Sequence, residues 1–243
     1  MHIIKLDAID STNSYLRQLS STKPLKDYTI VMSDYQTKGR GQVGTNWESE
    51  SGKNLMVSMF KDVSFLELKS HFYISMVVSL AIIKTLQQFS ITKLSIKWPN
   101  DILSEDKKLC GVLIENVVKQ DQLRATIIGI GLNVNQTQFD NLPRASSLKL
   151  LSGQHYDINE VLFGLITNIK HYFKILKAKA FDKLKTEYES HLFRKDKPST
   201  FSDTEGNLFS GYIKQVTDSG CLQLLLEDNV LAEFNLKEIT LLY

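Results

Sequence analysis

The stretch KWPNDILSEDKKLCG, residues 97–111, decides how the middle of the chain folds. Together with its flanks it predicts three successive strands, KLSIKW, DILSE and KLCGVLIENVV, which are interrupted by a Pro-Asn pair and by an Asp-Lys turn. Lys97 therefore stands at a strand end beside a rigid turn, and Lys108 begins the last of the three strands. Either lysine alone is better explained as a solvated surface charge, but two that bracket one hairpin favour a site.

Strands and helices follow one another on both sides of this stretch. HIIKLDAI is predicted to be a strand, and DSTNSYLRQL a helix whose cap is Asp10, Ser11 or Thr12. YTIVMSDYQ and NLMVSMF are predicted strands, and RATIIGIGLNVN forms another that ends in a glycine-punctuated turn. Apolar spacing from residue 67 to 89 predicts a buried helix, and its longest apolar run, residues 72–83, is too short and too often interrupted by serine to span a membrane.

The C-terminal part changes from helices to short strands. Asp157 and Glu160 have the spacing of a capping box that opens a helix to about residue 177, and a second helix is predicted from about 181 to 193. A polar joint, KDKPS, follows, and the short strands beyond it predict a small antiparallel barrel. We therefore expect a large domain over residues 1–195 and a barrel domain over residues 196–243.

Composition excludes several classes of protein. Hydrophobic residues make up 42% of the 243 residues and charged residues 23%, with a net charge of +2, as in an ordinary globular protein. The two cysteines, Cys110 and Cys221, have no metal-binding or disulfide-scaffold spacing. No signal peptide is visible. These features favour a cytoplasmic protein without nucleic-acid or membrane partners.

The glycine-rich stretch GRGQVG, residues 39–44, matches the G-x-G-x-x-G pattern of dinucleotide-binding folds, and Asp62 follows near the position of the ribose-binding carboxylate. That fold needs a helix directly after the third glycine. The segment TNWESESGK, residues 45–53, is too short for the crossover, which takes at least about 10 residues. The match is therefore interpreted as coincidental. Two interpretations stay open: a loop that closes over a small anionic ligand with Arg40 and Trp47, or a mobile hairpin loop.

Five blocks of sequence together resemble the biotin–protein ligases. They are STN (11–13), YQTKGRGQ (35–42) with Trp47, KWPNDI (97–102), KLCG (108–111) and GIGLNVN (129–135). Their order and spacing match that family from about residue 3 to 135, and the layout continues to residue 243. KWPND followed by KLxG is quite specific, whereas GRG alone is not.

The resemblance implies a fold and a reaction. The fold is α+β: a catalytic domain like that of class II aminoacyl-tRNA synthetases and biotin ligases, with a mixed β-sheet flanked by helices, and then a small SH3-like β-barrel. The enzyme implied is a biotin–[biotin carboxyl-carrier protein] ligase. It joins biotin and ATP, with Mg²⁺ on the triphosphate, into biotinyl-5'-AMP, and transfers the biotinyl group to a lysine of a biotin carboxyl carrier protein.

The resemblance also implies site residues, whereas the protein ligands of the metal stay unknown. The catalytic residues are Arg40, Lys97, Lys108 and Asp101. The biotin-binding residues are Ser11, Thr12, Asn13, Gln36, Gly39, Arg40, Gly41, Lys108 and Gly111. The residues that bind ATP or the adenylate are Arg40, Gln42, Trp47, Lys97, Asn100, Lys108, Gly129 and Asn133.

Simpler roles stay open for several of these residues. Ser11 and Thr12 are equally suited to capping a helix. The alternative for Trp47 is a buried core position, and the alternative for Asp101 is stabilisation of a turn. Gln42 stands where many family members carry a second arginine, so we predict weaker retention of the adenylate.

Alternative functions and the assembly also stay open. The STN block begins near the start of the sequence, so we expect the monofunctional type of ligase without an N-terminal DNA-binding domain. A lipoate–protein ligase of the same fold and a non-catalytic biotin-binding module remain alternatives. A monomer and a homodimer both stay open, because no residue-level signal separates the two.

Overall fold

The computed structural model describes residues 2–42, 44–140 and 142–243, so Val43 of the GRGQVG stretch lies outside the described residues. Within these ranges the elements are β1 (His2–Ile9), α1 (Thr12–Thr22), β2 (Thr29–Gln36), β3 (Leu55–Asp62), α2 (Phe72–Gln88), β4 (Leu94–Lys97), β5 (Asp101–Ser104), β6 (Lys107–Lys119), β7 (Gln122–Leu132), α3 (Leu148–Ser152), α4 (Ile158–Lys177), α5 (Phe181–Ser190), β8 (Pro198–Asp203), β9 (Leu208–Val216), β10 (Leu222–Leu226), β11 (Leu231–Phe234) and β12 (Ile239–Leu242).

The first seven strands form one mixed sheet. Its order is β1-β2-β3-β7-β6-β5-β4, in which only β1 and β2 run parallel. The order brings β7, which follows the long β6 by a tight turn, into the centre beside β3. The predicted mixed sheet flanked by helices is confirmed.

Helices cover both faces of this sheet. On one face Leu16 of α1 packs against Val31 and Ile127. On the other face α2 packs against α4 and α5, and most of its residues are buried, as expected of a helix that is apolar all round. Because both faces are covered, β3 reads as an apolar run and not as an alternating strand. Within the described ranges no helix is long and apolar enough to cross a membrane.

The helices differ from the sequence prediction in three ways. The helix predicted over 67–89 is divided into a 3-10 turn at Leu68–Ser70 and α2. The helix predicted to reach residue 193 ends at Ser190, because residues 191–193 turn to pair with Ile96 of β4: the Ile96 N–H donates to the His191 carbonyl at 2.7 Å and the Phe193 N–H to the Ile96 carbonyl at 2.9 Å. The short helix α3 was not predicted.

The C-terminal strands form a second sheet, which is antiparallel throughout, in the order β11-β10-β9-β8-β12. Phe201, Phe209 and Phe234 stack across it. The predicted polar joint at 195–199 is ordered and partly strand, because β8 begins at Pro198 and the Arg194 Nε donates to the Ser199 Oγ at 2.9 Å. Buried residues of this sheet belong to the same hydrophobic core as α2.

Candidate active site

A cavity of about 550 Å³ lies between the seven-stranded sheet and the C-terminal sheet. Its walls are the start of α1, the loop of residues 37–53, the β5–β6 hairpin, the end of β7 and parts of the C-terminal sheet. Most of the predicted site residues line it: Ser11, Thr12, Asn13, Gln36, Arg40, Gly41, Gln42, Trp47, Lys97, Asn100, Asp101, Lys108, Gly111 and Gly129. Blocks that are far apart in sequence therefore meet in one place.

The start of α1 carries a buried cluster of amide and hydroxyl groups. The Gln36 Oε1 accepts from the backbone N–H of Thr12 at 2.8 Å and from its hydroxyl at 3.0 Å. The Ser58 hydroxyl contacts the Thr12 Oγ1 at 2.7 Å and the Asn13 Oδ1 at 2.5 Å. A Cβ at Gly129 would lie 2.4 Å from that Asn13 oxygen, so only glycine leaves room for it. The cluster presents both donors and acceptors to the cavity.

Ser11 also caps helix α1, as its sequence context allows. Its backbone is extended, and its Oγ accepts from the Ser14 N–H at 3.4 Å, so Ser11 is the N-cap of α1. Ser11 is buried and lines the cavity as well. The capping role is thus present, and it leaves the hydroxyl at the cavity wall.

The loop of residues 37–53 folds back on itself beside the cavity. The backbone N–H of Trp47 donates to the Gly39 carbonyl at 2.9 Å, and the backbone N–H of Gly41 donates to the Thr45 carbonyl at 2.7 Å. Gln42 accepts from the Thr45 hydroxyl at 2.8 Å through its backbone carbonyl, so its side chain is not used in this turn. These bonds give the loop a hairpin shape that holds Trp47 over the sheet.

The Trp47 ring lies on the glycines of β6 and β7. A Cβ at Gly131 would be 2.5 Å from the Trp47 Cε2, and a Cβ at Gly111 would be 3.2 Å from its Cζ3. The indole is half-buried, and its Nε1 is buried without a hydrogen-bond partner among the described residues. A buried donor that lacks an acceptor is costly, and a polar group of a ligand in the cavity would satisfy it.

Lys108 and Asp101 form an ion pair across the β5–β6 hairpin. The Lys108 Nζ lies 2.7 Å from the Asp101 Oδ1, and the Lys108 ammonium is 6.0 Å from the centre of the Trp47 ring. Asp101 is also paired in register with Lys97 on β4. The Asn100 Nδ2 donates to the Val112 carbonyl at 2.8 Å, which closes the turn between β4 and β5 onto β6. The KWPND block is thereby held against the strand that carries Lys108.

Lys97 reaches the C-terminal residues. Its ammonium is 4.8 Å from the centre of the Tyr243 ring, and the Arg144 guanidinium carbon lies 4.1 Å from the same ring. Phe193 packs edge-on against Tyr243 at 5.0 Å. Lys97, which lines the cavity, therefore contacts an aromatic residue that the sequence analysis did not single out.

Arg40 forms an ion pair with Glu115 of β6. The Arg40 Nη2 is 2.9 Å from the Glu115 Oε2, which also accepts from the Asn13 Nδ2 at 2.9 Å. The Arg17 Nη1 lies 3.2 Å from the other oxygen, Oε1. Glu115 was missed by sequence reasoning, because one glutamate within a strand has no signal of its own.

Two predicted residues lie outside the cavity lining. Gly39 accepts the hydrogen bond from the Trp47 backbone N–H in the loop turn described above. Asn133 is buried, and its Nδ2 donates to the Ser146 carbonyl at 3.0 Å while its N–H donates to the Leu109 carbonyl at 2.9 Å. Asn133 thus joins the end of β7 to the segment before α3, and the structure gives it a supporting position behind the wall.

The C-terminal sheet supplies cavity-lining residues that no motif indicated: Phe201, Ile213, Leu222, Leu236, Lys237, Ile239, Thr240 and Leu241. Their alternation predicts strands but not the surface that those strands cover. Cys110 lies under Gly111, fully enclosed, and burial raises the pKa of its thiol far above the usual range, so it acts as a small packing residue.

The described residues contain no group of three or more His, Cys, Asp or Glu side chains that could hold a metal ion. The carboxylates nearest the cavity, Asp101 and Glu115, are each paired with cations.

Comparisons with known proteins agree with this architecture. A family model described as the biotin/lipoate A/B protein ligase family matches residues 6–133. The bifunctional ligase/repressor BirA of Bacillus subtilis is 28% identical over 233 residues, which cover 94% of this chain and 70% of that protein. BirA of Escherichia coli is 35% identical over 129 residues, 53% of this chain and 39% of that protein. The solved structure of biotin protein ligase from Aquifex aeolicus in complex with biotin and ATP has a TM-score of 0.82 at 28% identity and covers 99% of this chain and 98% of that one.

The fold and the cavity define a ligase domain of the type that joins a small acid to a protein. Because the family model matches more than half of the residues, the chain belongs to the biotin/lipoate A/B protein ligase family. The resemblance to the biotin–protein ligases that the five sequence blocks indicated is confirmed, and so is the prediction of an enzyme of this kind.

Proposed function

We propose that this protein forms biotinyl-5'-AMP from biotin and ATP and transfers the biotinyl group to a lysine of a biotin carboxyl carrier protein. One observation carries the proposal: a buried cluster of neutral donors and acceptors and three cations, Arg40, Lys97 and Lys108, line the same cavity. The Aquifex aeolicus ligase, similar over nearly the whole chain, was solved with biotin and ATP, which supports the same two substrates here.

The amide and hydroxyl cluster suits the ureido ring of biotin. That ring is neutral and planar and has two N–H donors and one carbonyl acceptor, so a buried pocket must offer both kinds of partner. Thr12, Asn13 and Gln36 carry acceptor and donor atoms at the start of α1, and Ser11 adds a hydroxyl. Backbone groups near Gly41 and Gly111 complete the proposed pocket, with Gly39 behind them as a support.

The cations suit the adenylation step. An oxygen of the biotin carboxylate attacks the α-phosphorus of ATP while the bond to pyrophosphate breaks. Two like charges about 4 Å apart repel by about 4 kcal/mol at an effective dielectric constant of about 20, so fixed positive charge is needed. Arg40, Lys97 and Lys108 supply it. Trp47, with its unpaired indole N–H, and Asn100, Gly129 and Gln42 complete the proposed nucleotide site, which Asn133 supports from behind.

Mg²⁺ belongs to this proposal as an ion held by the phosphate oxygens of ATP. Such ions keep several waters and bind through substrate phosphates with few protein ligands. The ion would add positive charge where the pyrophosphate leaves, which is the work that Lys97 and Lys108 share.

Asp101 is the proposed partner of the acceptor lysine in the transfer step. The amine nitrogen attacks the acyl carbon of the adenylate, AMP leaves, and the amine loses a proton. An ordinary lysine pKa of about 10.4 makes the neutral amine cost about 4.6 kcal/mol at pH 7. The Asp101 Oδ1 lies 2.7 Å from the Lys108 Nζ as an ion pair, and a carboxylate has further lone pairs to receive that proton.

Asp101→Asn tests that role. With preformed biotinyl-5'-AMP and a carrier domain, we expect transfer to slow by about 100-fold, in the range usual for a general base. Unchanged transfer from the preformed adenylate would exclude Asp101 as the base, whatever happens to adenylate formation.

The finer architecture is part of the same proposal. Residues 1–195 form the catalytic domain, related to class II aminoacyl-tRNA synthetases, and residues 196–243 form an SH3-like barrel; the five-stranded antiparallel sheet supports the second assignment. We also propose a cytoplasmic location and a separate carrier protein as acceptor.

Pyrophosphate release from ATP and Mg²⁺, with biotin and with lipoate in parallel and without acceptor, tests the function. Release that depends on biotin supports the proposal. Release with lipoate alone would make the protein a lipoate–protein ligase, a class that the same family model includes. No release with either acid would favour a non-catalytic biotin-binding module.

A further inference from the structure

Glu115 joins three separate elements through contacts that include two cavity-lining residues, Asn13 and Arg40. It lies on β6, opposite Ile127 of β7, and its side chain is 15% exposed. Its two oxygens receive Arg40 from the 37–53 loop, Asn13 from the start of α1 and Arg17 one turn further along α1. Each of these contacts bridges at least 75 residues of sequence. The carboxylate is therefore a junction between the loop, the helix and the sheet.

The arrangement leaves Arg40 free to bind a second anion. A guanidinium has five N–H donors in a planar fork, and the contact with Glu115 uses Nη2. Arg40 lines the cavity, with its side chain 43% exposed, so its remaining donors are available on that side. Glu115 thus fixes one edge of the Arg40 guanidinium plane, and this sets the direction of the opposite edge.

The pair is unlike an ordinary surface ion pair. Exposed pairs contribute about 0–1 kcal/mol, because both partners are well solvated and lose side-chain freedom. Glu115 is largely buried, and it shares its Oε2 with the nearly buried Asn13, which is in turn held by Ser58. A carboxylate tied on both sides in this way restricts the rotamer of the arginine that it holds.

We propose that Glu115 is a positioning residue that holds Arg40, and through it the 37–53 loop, in the orientation needed to bind the biotin carboxylate and the α-phosphate. Glu115 acts through Arg40 and does not touch the substrate. The inference rests on the proposed function for the identity of the two anions, but the tether between the loop and the sheet is independent of it.

Limited trypsin digestion without ligands tests the tether. Trypsin cleaves after Arg40, and we expect Glu115→Gln, which keeps the size of the side chain but loses the charge, to speed that cleavage by about tenfold. The control is Glu105→Gln, which removes an exposed ion pair with Lys93 at the β5–β6 turn and should leave the rate unchanged. Equal cleavage of wild type and Glu115→Gln would overturn the proposal even if the protein had no ligase activity.

Kinetics of biotin-dependent pyrophosphate release test the action through Arg40. We expect Glu115→Gln to raise the KM for biotin by about tenfold with a smaller change in kcat, and to have no further effect in an Arg40→Gln background. Additive effects of the two substitutions would mean that Glu115 does not act through Arg40. Wild-type protein without biotin-dependent release would contradict the proposed function and leave the trypsin result to judge the tether.

Glu115→Asp keeps the test decisive if Glu115→Gln does not fold. It retains the charge and withdraws the carboxylate by one methylene, so the contact to Arg40 lengthens. We expect a smaller increase in the same two quantities, the trypsin rate and the KM for biotin. If both stay at the wild-type values, Glu115 does not position Arg40.

Discussion

Lys107 and Lys108 are neighbours on β6 with different partners. A comparison of the two distinguishes the effect of a charge at the site from the effect of a charge on the surface. Successive side chains of a strand point to opposite faces. Lys108 lines the cavity and pairs with Asp101, whereas the Lys107 Nζ donates to the Pro143 carbonyl at 3.2 Å, outside the cavity lining. The KLxG motif identified Lys108 from sequence, but only the structure tells which face each lysine occupies.

We expect Lys108→Gln to lower kcat/KM for biotin-dependent pyrophosphate release by about 100-fold, the usual loss for one fixed donor aimed at developing charge. Lys107→Gln is the matched control and should stay within about twofold, since it removes a charge from the outer face. Equal losses in the two variants would show that general positive charge, and not the position of Lys108, supports the reaction.

At the scale of elements, the contact between the 37–53 loop and the sheet is a close fit between Trp47 and Gly131. We expect Gly131→Ala to push the indole away from β7, because the new Cβ would lie 2.5 Å from the Trp47 Cε2. The KM for ATP should rise by about tenfold, as misplacement of a group by about 1 Å commonly costs that much or more. Steady-state pyrophosphate release at varied ATP measures the change.

Gly164→Ala is the control for that substitution. Gly164 lies inside α4, and its nearest neighbour would be the Thr85 Cγ2 at an ordinary 3.5 Å. Alanine in a helix interior should therefore stabilise the fold by about 0.5–1 kcal/mol and leave the KM unchanged. A raised KM in Gly164→Ala, or an unchanged KM in Gly131→Ala, would contradict the loop packing described here.

Some elements of the structure could be predicted from the sequence and others could not. Strands and helices with strong periodicity, and the five motif blocks, were located because local pattern and motif residues suffice for them. The end of α5 at Ser190 was missed, because pairing of residues 191–193 with Ile96 overrides local helical pattern. Glu115 and Tyr243 were missed for a related reason: their contacts join residues distant in sequence, and neither has a distinctive neighbourhood.

At the scale of the whole molecule, the two sheets share one hydrophobic core and several polar contacts. The Trp98 Nε1 donates to the Gly220 carbonyl at 3.0 Å, beside the lysines of the site. Asp218, in the turn between β9 and β10, accepts from the Tyr73 hydroxyl of α2 at 2.9 Å and from the Lys185 ammonium of α5 at 3.0 Å. Because Phe201 and Leu222 of the C-terminal sheet belong to the core that includes α2, neither part retains a complete core alone.

We therefore expect calorimetry to record a single cooperative unfolding transition, which Asp218→Asn shifts as a whole. Lys185 and then Tyr73 hold the pKa of Asp218 below its usual value by hydrogen bonding. A lowered folded-state pKa contributes stability above the unfolded value of about 3.9, and this contribution is lost as the pH falls through the lower folded-state pKa. At pH 7 the variant should lose about 0.5–1 kcal/mol of unfolding free energy, a small value because the Asp218 side chain is 69% exposed.

The control is Asp228→Asn, on the exposed turn before β11, which should lower the unfolding free energy less. The difference between the two variants should vanish in strong acid. Two separate transitions, with only the smaller one shifted by Asp218→Asn, would show that the sheets fold independently and that the cavity between them forms by docking.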